Sequence, residues 1–185
     1  GWSLCQIIFN DVVVPASNIL GKLGGGLRET MRGFERSRCF ISLLALGLGR
    51  ASLDAAIEYA KQRVQFDKPI GAHQLVQQLI AEMAIELEAS RLMVFRALAL
   101  LDRQVGSNTE AAMAKAFTTE AVQRITSKAI QVHGAFGLSR EFTVERYFRS
   151  ARMLTIPDGT TQINYLIIGR KLLGFGELRV RRRGG

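Results

Sequence analysis

Apolar residues recur at three- and four-residue steps along most of this chain, and that rhythm predicts helices. From Leu27 to about Gln65 the series Leu27, Met31, Phe34, Ile41, Leu44, Leu48 and Ala51 is interleaved with Arg and Glu. At about 1.5 Å of rise per residue, such a helix would exceed about 50 Å and needs long neighbours. Gly47 and Gly49 are poor helix formers, and close packing against another helix explains them better than a kink. Pro69 and Gly71 end the element. A second helix is expected from about His73 to Val105, through Leu75, Leu79, Met83, Leu87 and Val94. Gly106-Ser107-Asn108-Thr109 is a turn in which Asn108 or Thr109 would cap a third helix over Glu110 to Gln131. Gly134 and Gly137 close that helix. Short helices over about Val144 to Arg152 and Thr161 to Leu173 complete the pattern.

The front of the chain has a different rhythm. Residues 7–14, Ile-Ile-Phe-Asn-Asp-Val-Val-Val, read as a strand running into a loop at Pro15-Ala16-Ser17-Asn18. Gly21, Gly24, Gly25 and Gly26 extend the loop. A lone strand before so many helices is expected to be the end of a preceding β domain. The expected fold class is therefore all-α: an up-and-down bundle of three long helices plus short C-terminal helices, with a short N-terminal β segment. Residues 1–20 are assigned to the end of the β domain and its linker, 21–175 to the bundle and 176–185 to a basic tail.

Composition narrows the class. A hydrophobic fraction of 48% with only three prolines suits a packed helical core rather than a disordered or fibrous chain. Cys5 and Cys39 match no metal-ligand spacing and favour a reducing compartment. The expected location is cytoplasmic, or the mitochondrial matrix in a eukaryote. Arg50, Arg96 and Arg170 interrupt the richest apolar stretches, so no membrane span is expected. The net charge of +9 comes partly from Arg179-Val180-Arg181-Arg182-Arg183 and partly from Arg28, Arg32, Arg36, Arg38, Arg50, Arg63, Arg91 and Arg96. Such an excess attracts anions, nucleotide diphosphates and nucleic acid alike.

Four segments could carry chemistry. Arg63-Val64-Gln65-Phe66-Asp67-Lys68-Pro69-Ile70, followed by His73-Gln74, places a guanidinium beside an aromatic ring; read alone, it is a helix end with a proline stop. Gln131-Val132-His133-Gly134-Ala135-Phe136-Gly137 is, read alone, a glycine-terminated helix. Glu35-Arg36-Ser37-Arg38 would ordinarily be a solvated helix face. Ile156-Pro157-Asp158-Gly159-Thr160-Thr161-Gln162-Ile163 is a turn carrying one carboxylate ahead of a helix, and its Asp could simply cap the backbone.

In this order the four segments resemble the C-terminal domain of flavin-dependent acyl-CoA dehydrogenases, over about residues 20–175. The first segment is similar to that family's Arg-x-x-Phe-Gly-Lys-Pro-Ile run, with Asp67 in place of Gly. The second is similar to Gln-x-x-Gly-Gly-x-Gly, with Ala135 in place of the second Gly. The resemblance implies FAD as cofactor. It implies that Arg63, Phe66, His73, Gln74, Gln131, Val132, His133, Gly134, Ala135, Thr160 and Gln162 help hold it. Glu35, Arg38, Gly159 and Arg170 would line the acyl-CoA site.

Asp158 stands where the family nearly always has the Glu that removes the substrate α-proton while the β-hydrogen leaves as hydride. Some members carry that Glu at the position of Ser37, which cannot act as the base. The resemblance further implies a homodimer or homotetramer in which Arg63 reaches a neighbouring subunit's flavin, with an electron-transfer flavoprotein as acceptor. This chain alone is expected to be inactive. The competing reading is a non-catalytic relative that binds duplex DNA through its basic surface. The enzyme reading is preferred, because the basic residues show no aromatic interleaving and no groove-reading motif.

Overall fold

In a computed structural model, residues 5–105 and 108–175 are described. The basic tail from 176 onward, and Gly106 and Ser107 of the anticipated turn, lie outside them. Three long helices dominate: α1 (Gly26–Gln62), α2 (Gln74–Asp102) and α3 (Asn108–His133). Two shorter ones follow, α4 (Val144–Leu154) and α5 (Thr161–Leu172). The all-α expectation holds.

Helix α3 is the axis of the bundle and packs on each of the other four helices. Its sequence explains how. Ala111, Ala112, Ala114, Ala116, Ala121 and Ala129 are small enough for neighbours to approach from several sides, while Val122 and Ile125 fill the core between them. Thr119 and Thr126 are buried too, and their hydroxyls donate to the carbonyls of Lys115 and Val122, each at 2.8 Å. Buried hydroxyls satisfied by the preceding turn carry no desolvation penalty. Ser42, Ser52 and Ser90 use the same device on α1 and α2.

The core face of α1 runs through Cys39, Ser42, Ala45, Gly49, Ser52, Leu53, Ala56 and Ala60. At Gly49 a Cβ would lie 3.0 Å from Val122 Cγ2 and 3.2 Å from Leu87 Cδ1, so this glycine is where three helices meet. Gly47 faces open space and has no such role. The packing explanation therefore applies to one of the pair. An 18-residue window within Glu29–Gln62 has a mean hydropathy of 1.5, so Arg50 does not exclude a membrane-length apolar stretch as expected. Packing against α2 and α3 buries only part of that stretch, and Met31, Phe40 and Leu44 stay exposed.

Two further expectations need correction. Residues 7–14 form no strand: they are unpaired among the described residues and bend at Asn10–Asp11, where Asp11 has φ of 48°, with Val13 95% exposed. β-branched residues favour the extended conformation, but a strand needs a neighbouring ladder. The long first helix also stops earlier than its apolar rhythm suggests. Past Gln62 the chain makes a two-residue hairpin, β1 (Val64–Gln65) with β2 (Lys68–Pro69), whose corner residues Phe66 and Asp67 have φ of 55° and 62°. Positive φ at both corners is the twist that a tight hairpin requires.

Candidate active site

The Asp158 turn joins α4 to α5 and is held from inside by its own carbonyls. Asp158 and Gly159 take φ of 56° and 94°, which reverses the chain within a few residues. Thr161 N closes the turn on the Thr155 carbonyl at 3.2 Å, and Thr160 caps α5 by accepting from Ile163 N. Three side chains from three different helices then donate into the turn. Arg38 of α1 donates from Nε to the Asp158 carbonyl at 3.3 Å. Lys115 of α3 donates from Nζ to the Gly159 carbonyl at 2.5 Å and to the Thr155 carbonyl at 3.4 Å. Asn164 of α5 donates to the carbonyls of Gly159 at 2.9 Å and Thr160 at 3.0 Å. Thr161 Oγ1 adds a bond to Glu120 of α3 at 2.7 Å.

This arrangement turns the backbone inward and leaves the Asp158 side chain half-buried, with no hydrogen bond to its carboxylate among the described residues. A carboxylate that structure does not consume is available as a base. Its surroundings are cationic. Burial pushes the Lys115 ammonium down to about 8, a shift that Asp158 opposes and Arg38 reinforces. Burial likewise lowers the Arg38 guanidinium, against the pull of Glu35 and Asp158.

Arg38 was expected at the acyl-CoA site beside Glu35, and the two divide. Arg38 is buried and also donates from Nη1 to Asn108 Oδ1 at 2.7 Å, so its side chain belongs to the turn's support. Glu35 lines an open groove of about 780 Å³ with Glu29, Arg32, Arg36, Leu101 and Gln104. Gly159 lies in the turn, Thr160 at the cap of α5, Gln162 exposed on its first turn and Arg170 half-buried in its last.

The other predicted residues gather at the opposite end of α1. Arg63 and Arg38 are separated by about 25 residues of that helix, roughly 37 Å of rise. There the Arg63 guanidinium lies over the Phe136 ring, 5.8 Å from its centroid. Phe66, 87% exposed, meets His73 edge-on at 5.9 Å, and His73 Nε2 lies 3.3 Å from the Gln65 carbonyl. Gln74 opens α2, and both it and Gln131 are exposed. A non-glycine residue held at positive φ stores about 1–2 kcal/mol of strain. Here that strain presents the Phe66 ring outward.

Val132 and His133 are not surface residues. Val132 is in the core, and His133 stacks on Tyr59 at 4.3 Å while Nδ1 contacts the Ala129 carbonyl at 2.8 Å. Burial lowers the His133 pKa. Their side chains are therefore taken up by the core, and Gly134 and Ala135 are exposed residues of the turn. The closing Gly137 is fixed by packing, since a Cβ there would lie 2.7 Å from the Ile130 carbonyl.

Lys115 and Asn164 were missed by sequence reasoning. A signal existed for the first: Lys115 interrupts Ala111-Ala112-Met113-Ala114-Lys115-Ala116 on the stripe that also carries Thr118, Thr119 and Val122. A lone cation on a buried stripe must have dedicated acceptors.

Both ends of the bundle have counterparts among known proteins. The chain is 38% identical to the caffeyl-CoA reductase-Etf complex subunit CarC of Acetobacterium woodii over 94% of its length and 46% of CarC. It is 36% identical to cyclohexane-1-carbonyl-CoA dehydrogenase of Geobacter metallireducens over 94% of its length and 46% of that protein. The structure of butyryl-CoA dehydrogenase from Megasphaera elsdenii superposes with a TM-score of 0.88 at 36% identity, covering 90% of this chain and 43% of the other. The chain thus spans less than half the length of the relatives it matches. Residues 24–173, which include both the Arg63 and the Asp158 clusters, match the family described as acyl-CoA dehydrogenase, C-terminal domain. The inward-held turn and the outward-facing hairpin therefore sit in a chain that belongs to the acyl-CoA dehydrogenases, a family of flavoprotein oxidoreductases.

Proposed function

We propose that this chain is the C-terminal part of an FAD-dependent acyl-CoA dehydrogenase in which Asp158 removes the α-proton of an acyl-CoA thioester. The observation that carries this reading is the Asp158 turn: its carbonyls at Thr155, Asp158, Gly159 and Thr160 are answered from within, and its carboxylate is left unbonded among the described residues beside two buried cations. FAD, when bound, would accept the β-hydrogen as hydride. The exposed end of α1 fits such a group. Arg63 forms no ion pair among the described residues, which leaves its fork for diphosphate oxygens, and Phe66 offers an aromatic face next to it. Gln74 and Gln131 add amides at the same end, while Thr160 and Gln162 stand beside the base.

The two clusters lie too far apart along α1 for a side chain to bridge, which supports an oligomer in which Arg63 serves a neighbouring copy's flavin. Asp places its carboxylate about 1.5 Å behind a Glu, and a misplacement of about 1 Å can cost on the order of a hundredfold in rate. A base set back by that amount suits a bulkier acyl group that fills the gap. Relatives of similar identity are named for caffeyl-CoA, for cyclohexane-1-carbonyl-CoA and for short-chain acyl groups, and the set-back base favours the ring-bearing ones among these. The first of those names also includes Etf, in keeping with an electron-transfer flavoprotein as redox partner.

Duplex-DNA binding finds less support, because Arg32, Arg50, Arg91, Arg124, Lys128 and Arg149 are paired with carboxylates. The test is to purify the full-length parent and add linear, branched and cyclic acyl-CoAs anaerobically. Bleaching of the flavin that Asp158→Asn abolishes is the expected result. Bound flavin that no acyl-CoA bleaches would overturn the reading.

A further inference from the structure

Lys115 has no exposed surface, yet it carries a charge at neutral pH in the middle of a bundle helix. Burying an ammonium is costly unless it is matched. Methionine or leucine would fill the same space at lower cost, so the lysine needs a reason in what it touches. Among the described residues its ammonium donates to the turn: to the Gly159 carbonyl on one side of Asp158 and the Thr155 carbonyl at the start of the loop. The charged groups around it are Asp158 on the turn, Arg38 on α1 and Glu120 on α3 itself. Glu120 is engaged by the Thr161 hydroxyl and Arg38 by the Asp158 carbonyl and Asn108. Asp158 is the one anion of the set with no hydrogen bond of its own among the described residues.

We propose that Lys115 is a positioning residue for the base: by gripping the carbonyls on both sides of Asp158, it fixes where the carboxylate stands. The proposal rests on Asp158 being the α-proton base. Arg38 and Asn164 hold the same turn, but of the three only Lys115 bonds carbonyls on both sides of Asp158.

The experiment compares full-length holoenzymes: wild type, Lys115→Met, Lys115→Gln and Lys115→Arg. Flavin content, KM and the single-turnover bleaching rate with the best acyl-CoA are measured for each at one pH. A reacting group misplaced by about 1 Å can lose on the order of a hundredfold in rate, so Lys115→Met and Lys115→Gln should bleach about a hundredfold more slowly per bound flavin with KM little changed. Lys115→Arg, which keeps charged donors on a side chain of similar reach, should recover most of that rate. A purely structural lysine would lower flavin content and leave the rate per bound flavin in place, and an unchanged rate per bound flavin in Lys115→Met or Lys115→Gln overturns the proposal. If neither uncharged variant retains FAD, Lys115→Arg decides: a loss of about a hundredfold there, with the donors kept, overturns it. A wild-type protein that never bleaches refutes the base assignment itself, and is recognised before any variant is compared.

Discussion

Lys115 Nζ and the carbonyl oxygen of Gly159 meet at 2.5 Å, joining the centre of the most buried helix to the residue after the proposed base. Because α3 packs on every other helix, the place of the Asp158 turn is set by the whole bundle. Changes far from the turn should therefore be felt there.

The carboxylate itself is the first place to look. Asp158→Asn should lower the rate of flavin bleaching by about 10²–10⁴-fold, the range for a general base. Asp158→Glu restores the family's usual residue but pushes the carboxylate about 1.5 Å toward the substrate. It should shift preference from ring-bearing toward linear acyl-CoAs, read as the ratio of kcat/KM for a cyclic and a linear substrate.

The hairpin end makes a separable prediction. Arg63→Ala should lower the flavin content of the purified parent while leaving far-UV circular dichroism unchanged, since the guanidinium touches only an exposed ring. Arg63→Lys should recover little, because an ammonium cannot reproduce a two-pronged contact with phosphate. Flavin absorbance per protein checks both.

Packing at the helix crossing is tight enough to test with one carbon. Gly49→Ala places a Cβ 3.0 Å from Val122 and 3.2 Å from Leu87, and overpacking of this kind costs about 1–3 kcal/mol. Gly47→Ala meets nothing within 4 Å and replaces a poor helix former. It should stabilise by up to about 1 kcal/mol. Opposite changes in chemical-denaturation midpoint at two positions two residues apart are the expected signature.

Lys115 also makes stability depend on pH. Its folded pKa of about 8 lies below the value of about 10.4 for an unfolded lysine. Between these pH values the unfolded chain holds a proton that the folded chain has released, so this group's contribution makes stability rise with pH. Below about pH 8 both states are protonated and the burial penalty is fully present. The difference in Tm between wild type and Lys115→Met, measured from pH 7 to pH 10, should therefore change in wild type's favour as pH rises.

Helical periodicity was enough to read the bundle at α1 and α2, which each bury one face and expose another, while α3, buried on most sides, was legible by its bounding turns and alanine-rich run. It failed at the edges, where local geometry decides. The hairpin after Gln62 depends on Phe66 and Asp67 adopting positive φ, which no apolar rhythm encodes. The run from Ile7 to Val14 has strand composition without a strand's partner. At the site, Asp158, Thr160 and Gly159 were legible because they are consecutive and belong to a turn. Lys115 was not, because its role exists only when residues 44 positions apart are brought together; Asn164 bonds locally to Gly159 and Thr160, but no apolar rhythm marks it. The surroundings of His133 were hidden for a related reason: the sequence shows a histidine beside a glycine turn, and only the fold shows Tyr59 stacked on it.

The span between Arg38 and Arg63 on one continuous helix has a genetic consequence. If each reaction centre draws its carboxylate from one copy and its phosphate-binding arginine from another, two crippled proteins can repair each other. Subunits carrying Asp158→Asn and subunits carrying Arg63→Ala, each inactive in pure assemblies, would on co-expression build some centres from two intact halves. Activity regained in that mixture, and in neither parent, would make α1 a shared rafter between neighbouring catalytic rooms.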